Sequence, residues 1–385
     1  MKKIRELTVF TIGDSRLLRT WSNVPYFMTK VFLEKGIHIN RVNLRISNLR
    51  RRLFKYCFYL LWHKINKNST FDYRRSYLHF SHIKKQIKRA VKEYPDADAN
   101  IFLTFSFSSY KVSNLPSILI CDWPYDHYVR HFKEKSPDFF EKMSIKRDYQ
   151  QIAGSDLVVV LFKSILPSML TKFEERKIKY LDQYVINSLH KIDENVELTG
   201  KKETRNILFV GGKNHLYIEG ARNLVSAFGK IKKEYPSARL HIVGLDETDF
   251  DLVPDGVACY GYLDKGTSSG NQLYYSLLRA TNIYVNTNTK WSGLSTTVEV
   301  MYFHIPVIVY PYDEFISLFG REINFGYYCY ENTAERIADA IRNVFNEQQY
   351  IQMCRNAHLA VRHFTWSSYA EKLLHEIESI VNNKS

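Results

Sequence analysis

A chain of 385 residues is too long for one ordinary hydrophobic core and suits two domains of roughly 150 to 200 residues each. With 45% apolar and 24% charged residues it has the composition of a folded globular protein, which excludes wholesale disorder. The formal charge of +14, together with 27 Tyr and 24 Phe, draws it toward anions such as phosphates, nucleic acid or an acidic lipid surface, and charge alone does not choose among these.

The first predicted element is the apolar run Leu7 to Ile12, a buried strand that ends in Gly13-Asp14-Ser15. Tyr26, Phe27, Lys30, Val31 and Leu33 then recur at helical spacing before the stop at Gly36, and Ile37 to Val42 resumes as a strand. Strand, helix and strand in so short a span form a βαβ unit with parallel strands and a right-handed crossover. Residues 49–67 interrupt this rhythm with basic ends around an aromatic and leucine-rich centre. Short strands follow at Ala99 to Phe105, Ser117 to Cys121 and Leu157 to Leu161.

The second half restarts the alternation. Asn206 to Val210 runs into Gly211-Gly212, a helix covers about 217–233, Arg239 to Val243 ends in Gly244, and Val257 to Tyr260 ends in Gly261. A helix near 271–279, the strand Ile283 to Asn286, a helix over about 295–303, the strand Pro306 to Tyr310 and a final amphipathic helix over about 366–382 complete the pattern. Two sets of alternation predict two doubly wound α/β domains, with ligand sites at the C-terminal ends of their strands. The expected division is residues 1–190, 191–365 and a terminal helix in 366–385 that packs back toward the N-terminal domain.

Cys57, Cys121, Cys259, Cys329 and Cys354 are odd in number and widely spaced, as free thiols in a reducing compartment would be. The start of the chain lacks the apolar core of a secretion signal, and no run of about 18 apolar residues could span a bilayer. A cytoplasmic location is expected. The histidines are scattered without carboxylate-backed metal spacing, so no metal site is expected.

Chemistry concentrates in Trp291 to Pro306. A Ser-Gly turn leads into Ser295-Thr296-Thr297 at a helix start, where unpaired N–H groups and the helix dipole favour an anion. One turn further in, the Glu299 carboxylate could accept hydrogen bonds from two vicinal hydroxyls, as on a ribose. An N-capped helix with a solvated Glu fits the same spacing.

Here the chain resembles the family-4 retaining glycosyltransferases. The strand ending at Gly211-Gly212 leads to Ala227-Phe228; Pro236 to Gly244 matches P-x-A-x-L-x-I-V-G; Gly261-Tyr262-Leu263 matches the loop facing the base; and Ser292 to Pro306 matches the S/G-rich turn, the Glu-x-Met helix and the Pro-Val-Ile strand. In the first half, Thr20-Trp21-Ser22-Asn23-Val24-Pro25-Tyr26 stands where a subset of the family carries Thr-Trp-Ser-Gly-Thr-Pro-Tyr.

The resemblance implies the GT-B architecture, two Rossmann-like domains facing each other across a cleft, and retaining transfer of a sugar from a nucleotide-diphosphate donor with no required cofactor. It implies donor contacts at Gly211, Gly212, Lys213, Gly244, Tyr262, Leu263, Trp291, Ser292, Gly293, Leu294, Ser295, Thr296 and Glu299. Asp122, His127 and Lys213 are the catalytic candidates, and Gly13, Asp14, Ser22 and Asn23 lie on the acceptor side.

Two departures stand out. Trp291 occupies the first position of the family's Glu-x7-Glu motif, and the Arg and Lys that neutralise the diphosphate are represented by Lys213 alone, with Glu219 near the Lys position. Weaker leaving-group stabilisation follows. The alternatives are therefore an impaired protein that binds nucleotide sugar or a partner, and a sugar-nucleotide epimerase of the same architecture.

The expected acceptor is a glycan or lipid-linked molecule in surface polysaccharide or lipopolysaccharide biosynthesis. Two readings of 49–67 stay open, an interfacial helix at the inner face of the plasma membrane and a core helix with basic ends. A nucleic-acid partner is not expected, since no recognition module is present. The reading of this helix start as a grip on the diphosphoribosyl portion of the donor leans on Glu299 being open to ligand; that carboxylate buried in a structural ion pair, or the cleft beside it filled by side chains, would overturn it.

Overall fold

The computed structural model describes residues 3–193, 197–198, 204–290 and 293–384. The chain divides into two compact units, Met1–Tyr184 with Trp366–Ser385, and Val185–Thr365.

The first unit holds a six-stranded parallel sheet ordered β2-β1-β3-β4-β5-β6, from β1 (Glu6–Thr11), β2 (His38–Asn43), β3 (Ala99–Phe102), β4 (Ser117–Cys121), β5 (Leu157–Val160) and β6 (Ile178–Lys179). Its helices are α1 (Val24–Glu34), α2 (Asn48–Phe54), α3 (Leu60–Ile65), α4 (Tyr77–Glu93), α5 (Tyr125–His127), α6 (Phe139–Ala153) and α7 (Leu166–Leu170). A parallel sheet covered on both faces demands continuous apolar strands. Accordingly Leu7, Val9, Phe10, Ile101, Phe102, Ile118, Leu119, Val158 and Val159 are fully buried, and the Phe10 and Phe102 rings stack at 4.3 Å.

The second unit repeats the plan in the order β12-β11-β10-β7-β8-β9. Its strands are β7 (Asn206–Val210), β8 (Arg239–Val243), β9 (Val257–Cys259), β10 (Ile283–Asn286), β11 (Val307–Val309) and β12 (Gly326–Tyr328). The helices are α8 (His215–Glu234), α9 (Ser268–Ala280), α10 (Leu294–Tyr302), α11 (Asp313–Phe319), α12 (Ala334–Asn346) and α13 (Tyr350–Val361). Leu224, Phe228 and Ile231 of α8 and Ile337 and Ile341 of α12 close one core with Ile207, Phe209, Ile242 and Val285 of the sheet.

The last helix, α14 (Trp366–Lys384), belongs to the first unit, where Lys35 pairs with Glu371 at 2.7 Å and Lys372 donates to the Leu181 carbonyl at 3.0 Å. The short strands β6 and β12 are absent from the sequence reading: β6 has two residues, too few for any period, and β12 is Gly-Tyr-Tyr, without the apolar run that marks β9 and β11.

In each sheet the chain reverses its winding direction once, between β1 and β3 in the first and between β7 and β10 in the second. Loops leaving the C-terminal ends of those strands diverge to opposite faces and open a crevice, where ligands of doubly wound folds bind. The loops in question begin at Ile12 and Leu103 in the first unit, and at Gly211 and Thr287 in the second.

Among the described residues no helix is long and apolar enough to cross a membrane, and no group of three His, Cys, Asp or Glu is placed to hold a metal ion.

Candidate functional site

In the second unit the crevice is built by close backbone approach. Gly211 donates its N–H to the Val243 carbonyl at 2.9 Å, and Gly244 holds φ +92°, where a Cβ would lie 2.1 Å from the Gly211 oxygen. Neither the conformation nor the space admits a side chain at Gly244. The Tyr217 ring of α8 fills the next position: a Cβ on Gly211 would stand 3.0 Å from its Cδ1, and one on Gly293 would stand 2.9 Å from its hydroxyl. Tyr217 therefore touches both glycine turns of the crevice.

Gly293 caps α10 at φ +64° and its carbonyl accepts from the Thr296 and Thr297 N–H groups. The earlier N–H groups of the first turn precede any intrahelical acceptor, so the helix presents donors and positive potential at the sheet's switch point. Leu294 is buried, Thr296 is half-buried, and the Ser295 hydroxyl accepts from the Asn187 amide at 2.9 Å. Trp291 and Ser292 lie outside the described residues. Tyr262 is exposed and Leu263 half-buried on the loop after β9.

Two sequence expectations meet a different environment. Glu299 is 2% exposed, and its carboxylate is saturated. Oε1 accepts from Lys265 Nζ at 3.2 Å and from the Tyr275 hydroxyl at 3.0 Å; Oε2 accepts from Lys265 Nζ at 3.1 Å and from the Tyr274 hydroxyl at 3.0 Å. A carboxylate offers about four acceptor directions, and four hydrogen bonds from three side chains take them. Burial, reinforced by the Glu299 charge, holds both phenols well above their ordinary value, so both stay protonated and donate. The same groups fasten the start of the unit: Lys265 reaches the Asn187 carbonyl at 3.4 Å and the Tyr275 hydroxyl accepts from the Leu189 N–H at 2.8 Å. The expectation of an open ribose ligand is thus corrected: Glu299 is a buried anchor joining α9, α10 and the 187–189 segment.

Lys213 is the second case. It is exposed on the loop after β7, with Nζ 2.7 Å from Asp246 Oδ2 and 3.4 Å from Asp249 Oδ2, and the hydrogen bond it donates to Asp246 raises its pKa. Lys213 is thus paired with two carboxylates of the same unit.

Sequence reasoning missed Asn288. It is 2% exposed just past the C-terminal end of β10, where its Oδ1 would stand 2.3 Å from a Cβ on Gly220, and neither side-chain polar atom has a hydrogen-bond partner among the described residues. A buried amide without partners costs on the order of 1 to 3 kcal/mol. The only linear signal was a glycine inside α8, where Ala would be the better helix former.

In the first unit, Gly13 turns the chain after β1 at φ +107°, donating to Asn43 Oδ1 at 3.1 Å, and Asp14 accepts from the Arg16 N–H at 2.9 Å. Trp21, Ser22 and Asn23 follow with φ of +35°, +52° and +70°, three successive left-handed residues without a glycine. Each costs on the order of 1 kcal/mol or more, strain of the kind that persists at ligand-binding loops. Pro25 then enters the first turn of α1. Asp122 and His127 flank the next loop but one, after β4; His127 lies half-buried against the His131 ring at 4.7 Å and the Phe132 ring at 5.5 Å.

Residues 191–359 match the family described as Glycosyl transferases group 1. The C-terminal unit is a group 1 glycosyltransferase domain. The match carries the glycosyltransferase class, EC 2.4.

Solved structures resemble the chain over both units of the glycosyltransferase. Sucrose-phosphate synthase from Thermosynechococcus elongatus is 12% identical with a TM-score of 0.67, covering 98% of this chain and 100% of that one. WaaG, a glycosyltransferase involved in lipopolysaccharide biosynthesis, is 11% identical with a TM-score of 0.63, covering 97% and 99%. A TarM mutant of S. aureus, in complex with Fondaparinux, alpha-GlcNAc-glycerol and UDP, is 15% identical with a TM-score of 0.54, covering 77% of this chain and 59% of that one. At these identities the likeness shows the GT-B fold. No curated protein sequence matches the chain.

Proposed function

We propose that the chain transfers a glycosyl group, with retention, from a nucleoside-diphosphate sugar held in the C-terminal unit to a glycan or lipid-linked acceptor of surface polysaccharide or lipopolysaccharide assembly at the inner face of the plasma membrane. The observation that carries this reading is the start of α10, a left-handed glycine cap at the switch point of a sheet whose sequence matches the group 1 family; the buried Lys265–Glu299 pair counts against it, and the reading therefore stands without Glu299 as a ribose contact. The complex of TarM with UDP supports a uridine nucleotide as the first donor to try.

In such a site the α10 N–H groups would receive the diphosphate, and the charge that develops on the leaving oxygen would be met by the helix terminus. Retaining transfer through an oxocarbenium-like transition state needs a positioned acceptor hydroxyl more than a strong base. Asp122, His127 and the strained Trp21 to Asn23 turn are the proposed acceptor-side groups. Gly13 and Asp14 shape that turn.

A second reading is favoured by Lys213 being committed to Asp246 and Asp249: a protein that binds the donor and does not turn it over. The test is a thermal-shift series with UDP, GDP and their sugars, followed by assay of nucleoside diphosphate release. A ligand at a hundred times its Kd adds about 2.7 kcal/mol to the native state. A shift with release supports transfer, a shift without release supports the second reading, and no shift with any nucleotide overturns both.

A further inference from the structure

The excess positive charge of this protein is concentrated in one stretch. Residues 35–92 contain sixteen Lys and Arg, from Lys35 to Lys92, and one acid, Asp72, a balance of +15; the remainder of a chain of +14 is therefore close to neutral. The centre of that stretch is a continuous helical arm made of α2, a π turn at Lys55–Tyr59, and α3.

The arm has two apolar faces. Phe54, Phe58 and Trp62 point inward: Phe58 and Trp62 meet the Phe140 ring at 4.9 and 4.8 Å, Phe54 meets Phe71 at 6.0 Å, and Trp62 Nε1 donates to Ser69 Oγ at 3.0 Å. The outward residues are Leu49, Leu53, Tyr56, Leu61 and Ile65, each more than half exposed and Ile65 81% so.

At about 100° per residue an unbroken α-helix would carry Leu61 about 120° around from Leu49. The Leu60 N–H instead bonds the Lys55 carbonyl, one residue further back than in an α-helix. That inserted residue returns Leu61 to within about 20° of Leu49, and Ile65 to within about 20° of Leu53. The π turn thus keeps one leucine-rich stripe in line along the arm while the aromatic face stays packed. Arg51, Arg52, Lys55, Lys64 and Lys67 flank it, all exposed and none in an ion pair among the described residues. Phe139, 66% exposed beside Phe140, extends the patch.

A solvent-facing leucine stripe bordered by unpaired bases is unsuited to water alone and complementary to an anionic bilayer, whose headgroups meet the bases while the stripe enters the acyl boundary. We infer that the arm Asn48–Ile65 docks this protein reversibly on membranes containing anionic phospholipid, with the Leu49 to Ile65 stripe inserted and the flanking bases at the headgroups. The inference deepens the membrane-located acceptor proposed above, and its test uses neither donor nor acceptor, so the two stand or fall separately.

The full chain is sedimented with vesicles of phosphatidylcholine alone and with vesicles of phosphatidylcholine and phosphatidylglycerol in equal parts. The expected result is retention on the second and little on the first, weakened by salt. Each base at an anionic surface is worth roughly fivefold in partitioning, so R51Q/R52Q/K55Q is expected to lose on the order of a hundredfold. L53E/L61E, exposed positions whose change leaves the thermal midpoint in place, is expected to abolish retention. Equal retention on both vesicles, no retention on either, indifference to the substitutions, or capture by single-stranded nucleic acid in place of anionic vesicles would overturn the inference.

Discussion

Replacing Glu299 distinguishes a buried anchor from an open ribose ligand. In Glu299→Ala the Lys265 ammonium, 13% exposed, loses its counter-ion, and the Tyr274 and Tyr275 hydroxyls lose their acceptor. Breaking one partner of a buried ion pair costs about 3 to 5 kcal/mol, because the remaining charge is left uncompensated. For a unit of the size of Val185–Thr365, where 1 kcal/mol moves the midpoint by roughly 2 to 4 °C, the expected fall is about 6 to 20 °C. Apolar replacement of both partners, Lys265→Met with Glu299→Leu, is expected to restore much of the loss, since a buried pair exchanged whole for packed hydrocarbon is often close to neutral. Differential scanning calorimetry of the wild type, Glu299→Ala, Lys265→Met, Glu299→Leu and the Lys265→Met/Glu299→Leu double variant measures this, with and without UDP. If Glu299→Ala left the ligand-free midpoint unchanged and removed only the UDP-induced rise, the anchor assignment would be wrong and the carboxylate would be a donor contact.

Three other perturbations follow from the same geometry. Gly244→Ala forces a Cβ to within 2.1 Å of the Gly211 oxygen at a left-handed φ, so a loss of about 2 kcal/mol or more in urea unfolding is expected, together with loss of the nucleotide-induced shift. Asn288→Ala removes a buried amide that has no partner among the described residues, so the ligand-free protein should melt at the same temperature or higher while the UDP-induced shift shrinks; a large destabilisation without ligand would refute this reading. His79 is buried in the first unit, and desolvation, followed by the nearby His82, Arg74 and Arg75, lowers its pKa to about 4. Its folded pKa lies below the unfolded value, so the unfolded chain binds the extra proton: stability is intact above about pH 6.5 and falls by on the order of 3 kcal/mol as the pH drops to about 4. Chemical denaturation across that range should show the slope, and His79→Phe should flatten it.

Strands and their order of appearance were legible because a parallel sheet buried on both faces writes each strand as an apolar run, as in Leu7 to Thr11, Asn206 to Val210 and Ile283 to Asn286. The glycine turns were legible for a related reason: Gly244 and Gly293 adopt backbone conformations that other residues rarely take, so their positions follow from local chemistry. The basic, aromatic character of 49–67 was equally plain, yet composition could not say whether that helix was buried or exposed. It is both, on opposite faces.

Partnership was what the linear chain withheld. Lys265, Tyr274 and Tyr275 lie 34, 25 and 24 residues before Glu299, at intervals that carry no periodic signal, and only the packing of α9 against α10 brings their donors to one carboxylate. The sequence by itself determined two doubly wound sheets, their glycine-lined turns and the helix start at Ser295, because each is dictated by neighbours a few residues apart. Whether Glu299 faces ligand or core, whether Lys213 is available, and which way the leucines of the basic arm point were decided by tertiary structure. Each depends on which donors, acceptors and apolar surfaces the folded chain brings within a few ångströms.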